Sequence, residues 1–215
     1  MILKLCGFTR PAQAALAGEL GATHVGAVLW ERSRRGVSDE GQARDIFAAA
    51  RGAGACPVAV VVDHADPAGL AARVGASVLQ LHGAETPAVG AALAAGGLSF
   101  WRALRVGGGR SGEAPLPWMQ AGAEAIVLDA FVPGLPGGTG ARVDDALARP
   151  IAAAHPVVLA GGLTPHNVAG AVAAVRPLGV DVASGIERTP GDKDEDLMRA
   201  FVMAARAALM TMETR

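Results

Sequence analysis

Cysteine is scarce in this chain of 215 residues. Only Cys6 and Cys56 occur, far apart in the sequence, which excludes a disulfide framework and the usual spacings of cysteine-based metal sites. Neither sign of charge dominates, since 19 Lys and Arg residues stand against 20 Asp and Glu residues. The net charge of −1 gives nucleic acid and anionic membranes no general attraction. We therefore expect no metal and no nucleic-acid partner, and any anion must be recognised by a local site.

Long apolar runs are also missing. Gly, Pro or charged residues interrupt every run well before the ~18 residues that suggest a membrane-spanning helix, and no basic segment followed by a long apolar one stands at the N-terminus. These absences predict a cytoplasmic protein without a membrane partner. With 51% hydrophobic residues the chain can form a sizeable core, and its length favours one globular domain over residues 1–215.

Eight short apolar runs, rich in Val, Ile and Leu, have the composition of strands buried on both faces of a parallel sheet. They are Ile2–Cys6, His24–Leu29, Val58–Val62, Val78–Leu81, Phe100–Leu104, Ala125–Asp129, Val157–Ala160 and Val180–Ala183. Ala-rich helical patterns separate them, at Pro11–Leu20, Asp39–Arg51, Pro67–Val74, Thr86–Ala95, Val143–Ala153, Pro165–Val175 and Asp194–Met212, with a weak fifth helix around Ala114–Ala121.

This alternation predicts an α/β fold, a single (β/α)8 TIM barrel. Each unit has about 27 residues, near the size of a minimal βα repeat. An open doubly wound sheet is the main alternative. It is disfavoured because Cys-Gly-Phe-Thr follows the first strand where a G-x-G-x-x-G fingerprint is expected.

The loops after the strands carry the chemistry in such a barrel, which draws attention to a thiol and a carboxyl. Cys6 ends the first strand, and nearby positive charge would lower the pKa of a thiol, ~8.5 when free, enough to make it a base near neutrality. Asp129 ends the sixth strand, nearly opposite, where apolar surroundings favour the protonated form of a general acid. The alternatives are a small buried hydrophobe for Cys6 and a loop cap for Asp129. Cys56, at the other end of its strand, is predicted to be structural.

Lys4 shares a strand face with Cys6 because strand side chains alternate with a period of two. If that face points into the barrel, Lys4 is a buried cation that needs a partner. Asp181 lies on the eighth strand, which neighbours the first in a closed barrel. We therefore predict a Lys4–Asp181 ion pair.

The last two loops have the composition of a phosphate site. Gly161 and Gly162 follow the seventh strand, before a predicted helix with Thr164 as N-cap and Pro165 at its first position. Ser184 and Gly185 follow the eighth. Glycine lets backbone amides approach a ligand closely, and loops after strands seven and eight often hold phosphate in these barrels. The predicted partner is a small phosphorylated molecule.

Two other loops carry candidate binding groups. Arg32, Arg34 and Arg35 follow the second strand, where a guanidinium could grip a carboxylate, although solvated surface charge is the default for such a run. His82 closes the fourth strand beside Gln80 and could orient a ligand or only donate a hydrogen bond at the rim.

Taken together, these segments resemble the phosphoribosylanthranilate isomerase family of tryptophan biosynthesis over nearly the whole chain. The matching segments, in order, are Lys4-Leu-Cys6-Gly7-Phe-Thr9, Gly26 through Ser38, Gln80-Leu-His82-Gly83, Leu128-Asp129, Gly137-Gly138-Thr139-Gly140, Ala160-Gly161-Gly162-Leu163 and Asp181-Val-Ala-Ser184-Gly185-Ile-Glu187. The chain departs from the family at Arg34, where proline is usual, and at Val143-Asp144-Asp145, where Phe-Asp-Trp is frequent.

The resemblance implies an Amadori rearrangement of phosphoribosylanthranilate without a cofactor, in a monomer or homodimer. Asp129 would be the general acid and Cys6 the general base, and Arg35 would bind the anthranilate carboxylate. His82 would contact substrate. The phosphate would be held by the loop containing Gly138 and Gly140 and by amides near Gly161, Gly162, Ser184 and Gly185.

Two other functions fit parts of the pattern. The related barrel isomerase of histidine biosynthesis performs the same rearrangement on a larger substrate, but its family is expected to carry a carboxylate at the position of Cys6. A catalytically idle phospho-ligand sensor would bind a phosphorylated ligand tightly without consuming it.

Overall fold

The computed structural model describes residues 1–106, 114–130 and 143–213. Eight parallel strands form a closed barrel in which each strand pairs with its neighbour in the chain and the last pairs with the first. The strands are β1 (Ile2–Cys6), β2 (His24–Val28), β3 (Cys56–Val61), β4 (Val78–Leu81), β5 (Ser99–Val106), β6 (Ala125–Ala130), β7 (Val157–Leu159) and β8 (Gly179–Val182). The predicted (β/α)8 barrel is confirmed.

A helix follows each strand. The helices are α1 (Pro11–Glu19), α2 (Glu40–Gly52), α3 (Pro67–Val74), α4 (Pro87–Ala95), α5 (Pro115–Gln120), α6 (Asp145–Ala154), α7 (Val168–Val175) and α8 (Glu195–Glu213). In the part of the chain that is described, no helix is both long and apolar enough to cross a membrane.

Aspartates set the starts of three helices. The side chains of Asp39, Asp66 and Asp144 accept hydrogen bonds from the amides of Gln42, Gly69 and Ala146, which would otherwise lack partners in the first turn. The predicted bounds of α3 are those observed, whereas the bounds of α2 and α6 differ by one or two residues, because sequence patterns do not separate the cap from the first helical residue.

The prediction of Thr164 as N-cap and Pro165 as the first helical residue is wrong. The regular part of α7 begins at Val168, after a turn over residues 165–167. The Asn167 side chain causes the difference: its Oδ1 accepts from the Thr164 amide at 2.8 Å and its Nδ2 donates to the Gly162 carbonyl at 2.9 Å. Asn167 thereby fixes the loop after β7 as a compact turn.

A hairpin after β8 was not expected from the sequence. A 3-10 turn over Ser184–Ile186 leads into β9 (Glu187–Thr189), which pairs with β10 (Asp192–Lys193) as a small antiparallel sheet. This hairpin lies against the first loop of the barrel, since Thr9 donates a hydrogen bond to the Gly191 carbonyl at 2.8 Å.

Strand alternation divides the core into two layers. Leu3 and Leu5 of β1 pack outward among the residues that lie between the sheet and the helices. A second cluster fills the barrel interior and includes Val58, Trp101 and Val127. The interior residues at the amino ends of the strands close the barrel floor, and those at the carboxyl ends surround an open cavity.

His24 and Trp101 are part of the floor. Their rings lie 5.0 Å apart, and His24 Nδ1 lies 2.8 Å from the hydroxyl of Thr23. Burial, together with the positive charges of Lys4 and the N-terminus, lowers the pKa of His24 from 6.5 to about 4. The folded protein therefore keeps His24 neutral at pH values where the unfolded chain protonates it.

We expect this difference to make the protein acid-sensitive. Between pH 6.5 and about 4 the unfolded state binds the His24 proton and the folded state does not, so the free energy of unfolding should fall as the pH drops through that range. The contribution is up to about 3 kcal/mol. Urea denaturation at a series of pH values measures it, with His24→Gln as the variant that should lose this part of the slope. An unchanged slope in the variant would assign the acid sensitivity to other groups.

Candidate active site

A cavity of about 540 Å³ opens at the carboxyl ends of the strands. Its polar lining contains most of the predicted site residues: Cys6, Arg35, His82, Asp129, Gly161, Gly162 and Ser184. Its apolar walls come from valines of the strands and from Trp30. The cavity therefore combines an apolar surface that suits an aromatic ring with charged groups for a polar ligand.

Cys6 lies above a buried ion pair. Register between β1 and β8 places Lys4 directly opposite Asp181, and Lys4 Nζ donates to Asp181 Oδ2 at 2.7 Å. The predicted Lys4–Asp181 pair is confirmed. Lys4 is fully buried, so the carboxylate supplies the countercharge that burial requires.

Gly26 provides the space for the Cys6 and Lys4 side chains. It lies opposite Cys6 in the β1–β2 register, and a Cβ at this position would be 2.6 Å from the Cys6 sulfur and 3.1 Å from Lys4 Cε. Both distances are shorter than normal contacts, so only glycine fits without moving the thiol or the lysine.

Burial is the main influence on the pKa of Cys6. It raises the pKa of the thiol, and the nearby ammonium of Lys4 opposes this without outweighing it. The sequence leaves this pKa open, and in the structure burial outweighs the lowering that nearby positive charge supplies. For Lys4 the balance is reversed: burial acts to lower its pKa, but Asp181 and Cys6 together raise it above its ordinary value.

Asp129 lies beside His82 at the opposite side of the barrel. Asp129 Oδ1 accepts from the amide of Ala130 at 2.9 Å, and its Oδ2 lies 3.6 Å from His82 Nε2. Gln80 Nε2, which can only donate, lies 3.3 Å from His82 Nδ1. The ring proton of a neutral His82 therefore lies on Nε2, the nitrogen that faces Asp129. His82 is thus placed to orient the carboxyl group of Asp129.

Of the three clustered arginines, only Arg35 is largely buried. Its guanidinium forms a two-pronged ion pair with Glu187 of β9, with Nε 2.8 Å from Oε1 and Nη2 2.7 Å from Oε2. Arg32 and Arg34 line the cavity but are exposed. Arg32 and Arg34 therefore fit the alternative of solvated surface charge, and Arg35 remains the candidate for binding a carboxylate.

The loop after β7 exposes backbone amides to the cavity. Gly161 and Gly162 have φ angles of 77° and 58°, in the left-handed region that glycine adopts without strain. Neither amide donates a hydrogen bond to another described residue, whereas the Thr164 amide is taken by Asn167. The two glycine amides therefore remain as candidate donors to an anion.

Ser184 and Gly185 contribute differently to the adjoining loop. Ser184 lines the cavity, but Gly185 packs against the backbone of Leu163, where a Cβ would overlap the carbonyl oxygen. Gly185 thus lets the loops after β7 and β8 approach each other. The other two predicted phosphate-binding residues, Gly138 and Gly140, lie outside the described residues.

Several polar atoms around the cavity have no protein partner among the described residues. Gln80 Oε1, His82 Nε2 and Asp181 Oδ1 are buried and make no hydrogen bond there. Buried polar atoms are costly when unpaired, so a cavity bearing three of them suits a ligand rich in hydroxyl or other polar groups. Within the described ranges no cluster of His, Cys, Asp and Glu could hold a metal ion.

Sequence reasoning missed the roles of Glu187 and Lys193. Lys193 Nζ donates to Glu187 Oε1 at 2.7 Å and to the Cys6 carbonyl at 2.5 Å, and only 2% of the residue is exposed. In the sequence Lys193 stands between Asp192 and Asp194, which is the pattern of a solvated surface segment. The sequence feature that could have indicated these roles is the position of Glu187, which lies close after the end of a strand and two residues beyond Gly185.

Known proteins that are similar to this chain match it over nearly its whole length. A family model described as N-(5'phosphoribosyl)anthranilate (PRA) isomerase matches residues 3–204. The N-(5'-phosphoribosyl)anthranilate isomerase of Rubrobacter xylanophilus is 40% identical over 95% of this chain and 98% of its own length. The isomerase of Stutzerimonas stutzeri is 36% identical over 96% of this chain and 97% of its own length.

Solved structures match the barrel as well. The phosphoribosyl anthranilate isomerase of Thermus thermophilus has a TM-score of 0.82 and 34% identity, over 96% of this chain and 99% of that one. A phosphoribosyl anthranilate isomerase in complex with reduced 1-(o-carboxyphenylamino)-1-deoxyribulose 5-phosphate has a TM-score of 0.77 and 29% identity, over 96% and 100%. With a barrel of this topology and a family match across residues 3–204, the chain belongs to the N-(5'-phosphoribosyl)anthranilate isomerase family.

Proposed function

We propose that this protein is a phosphoribosylanthranilate isomerase of tryptophan biosynthesis, with Asp129 as general acid and Cys6 as general base. The reaction converts N-(5-phosphoribosyl)anthranilate to 1-(2-carboxyphenylamino)-1-deoxyribulose 5-phosphate. The observation that carries the proposal is that a carboxyl from β6 and a thiol from β1, on opposite sides of the barrel, line one cavity. A sugar lying between them can be protonated from one side and deprotonated from the other.

The first step uses the carboxyl group. Asp129 donates its proton to the furanose ring oxygen, the bond between that oxygen and C1 breaks, and the electron pair of the anthranilate nitrogen forms the Schiff base. The nearby His82 Nε2, 3.6 Å from Asp129 Oδ2, then faces the newly formed carboxylate. A positioned acid of this kind typically contributes ~10²–10⁴-fold to the rate.

The second step uses the thiol. Cys6, as thiolate, removes the proton from C2 of the open-chain sugar, and the electron pair moves toward the cationic nitrogen to give an enolamine. Tautomerisation of the enolamine yields the ketone product. The buried Lys4 ammonium supplies positive charge beside the thiolate that the reaction needs.

Binding groups lie at both ends of the cavity. Arg35 binds the carboxylate of the anthranilate ring, with Trp30 and the strand valines as the apolar surface for the ring itself. The amides of Gly161 and Gly162, together with the Ser184 loop, bind the phosphate. The sugar then spans the region between Cys6 and Asp129.

The roles of acid and base are tested by single substitutions. Cys6→Ser and Asp129→Asn should each lower kcat by ~10²-fold or more, because each removes one proton-transfer group. Substrate generated in situ loses its anthranilate fluorescence as it is consumed, which gives the rate. Circular dichroism and thermal unfolding should show a retained fold. Full activity in either variant would exclude the proposed role of that residue. A wild-type protein that binds a phosphorylated ligand without consuming the substrate would favour the alternative function, a phospho-ligand sensor.

Gly26→Ala tests the space around the thiol. The added Cβ would lie 2.6 Å from the Cys6 sulfur, so the thiol must move away from its position. We expect kcat to fall by ~10²-fold, as for a misplacement of about 1 Å, without loss of the barrel. Gly170→Ala is a matched control because a Cβ there meets no atom within 4 Å. Equal activities of the two variants would contradict the proposed constraint.

The ionisation of Cys6 predicts a pH dependence. Because burial raises the pKa of the Cys6 thiol above its ordinary value, the rate at which iodoacetamide alkylates the protein should rise steadily with pH and show no plateau below about pH 9. Cys56→Ser protein isolates the Cys6 signal. A plateau near neutrality would mean that Lys4 outweighs burial.

A further inference from the structure

Glu187 and Lys193 are buried charged residues that the proposed chemistry does not use. Both belong to the hairpin after β8, and neither lines the cavity. The Glu187 side chain is 4% exposed, and the Lys193 side chain is completely buried. Stability alone does not explain a buried pair of opposite charges, because a well-packed apolar pair of similar volume is often at least as stable.

Lys193 joins three neighbouring segments. Its Nζ donates to the Cys6 carbonyl at 2.5 Å, to the Ala183 carbonyl at 3.2 Å and to Glu187 at 2.7 Å. The first two acceptors are at and just beyond the carboxyl ends of the adjacent strands β1 and β8. Lys193 therefore fixes Glu187 relative to the backbone that carries the thiol.

Glu187 has no unused acceptor position. Its carboxylate accepts from Arg35 Nε and Nη2, from Lys193 Nζ and from the amide of Gly191 at 3.1 Å. These four N–H groups match the roughly four lone-pair sites that a carboxylate offers. Glu187 is therefore held in one orientation and has no acceptor position left for substrate.

Arg35 is bound along one edge only. Glu187 occupies the edge formed by Nε and Nη2, whereas Nη1 makes no hydrogen bond to any other described residue. Arg35 lines the cavity with a side chain that is 12% exposed. The second edge of the guanidinium, formed by Nη1 and Nη2, is thus left for a planar carboxylate.

We propose that Glu187 is a positioning residue that turns the second edge of Arg35 toward the substrate carboxylate and thereby sets the preference for a 2-carboxylated arylamine. The inference rests on the proposed function, in which Arg35 binds that carboxylate. Glu187 does not compete with substrate, because moving it away would leave Lys193 buried without its countercharge. Its effect reaches the substrate only through Arg35.

The test compares two substrates that differ only in the carboxylate. Anthranilate and aniline each condense with ribose 5-phosphate, and chromatography of the aromatic products measures kcat and KM for both phosphoribosyl arylamines. Wild-type protein should prefer the anthranilate derivative in kcat/KM by ~10-fold or more, the contribution of one hydrogen bond between charged groups. Arg35→Gln should remove most of that preference.

Glu187→Gln should reduce the preference for the anthranilate derivative as Arg35→Gln does. The main effect should be a higher KM for the anthranilate derivative, and kcat for the aniline derivative should stay within about twofold of wild type. Glu187→Asp keeps a charge beside Lys193 but shortens the reach to Arg35, so it should also lose the preference and guards against misfolding of the first variant. Arg188→Gln is the matched control, since the one ion pair that this exposed neighbour forms with a described residue is to Asp194, at 2.8 Å.

The outcomes distinguish a failure of the positioning role of Glu187 from a failure of the proposed isomerase function. The combined Arg35→Gln and Glu187→Gln variant should show no further loss of preference beyond either single change, which supports action through Arg35. A folded Glu187→Gln or Glu187→Asp protein with wild-type preference, while Arg35→Gln has lost it, overturns the positioning role alone. Wild-type protein that consumes neither substrate overturns the proposed function together with this inference.

Discussion

The Lys4–Asp181 ion pair lies where the barrel closes, and the geometry of the catalytic end depends on it. Closure requires β1 and β8 to pair in one register, and that register places the two side chains opposite each other at 2.7 Å. A shift of one residue would turn Lys4 toward the helices and leave Asp181 without its cation. Removing either partner from such a buried pair typically costs about 3–5 kcal/mol, so the pair selects one closure of the sheet.

The same pair also determines the surroundings of the proposed base. Lys4 stays charged because Asp181 and Cys6 offset the effect of its burial, and that charge is the main opposition to the burial of the thiol. Burial therefore favours the protonated form of the thiol, which lies beside a cation that can stabilise its conjugate base. At the other side of the cavity, Asp129 lies beside a histidine whose tautomer is set by Gln80. Cys6 thus depends on a neighbour on its own strand, and Asp129 on a residue that follows β4, two strands away from β6.

The sequence was sufficient for features that depend on neighbouring strands and local composition. Apolar runs identified all eight barrel strands, and strand adjacency predicted the partner of Lys4. Prediction from the sequence failed where the burial of a residue depends on a distant segment. Lys193 has acidic neighbours on both sides in the chain, but its folded surroundings are backbone carbonyls from two strands. The direction of the Cys6 pKa shift stayed open for a related reason: charges can be inferred from nearby residues, whereas desolvation depends on everything packed around the group.

The position of the hairpin in the chain has a consequence for the order in which the site is assembled. The last of the eight strands ends at Val182, so Cys6, Arg35 and Asp129 lie before that point in the chain, whereas Glu187 and Lys193 come after it. During synthesis these side chains therefore leave the ribosome before Glu187, which holds the Arg35 guanidinium, and Lys193, which binds the Cys6 carbonyl. A nascent chain ending after β8 contains every strand of the barrel but lacks the carboxylate that holds Arg35. Completion of the catalytic end is thus delayed until the last short segment before α8 has been made.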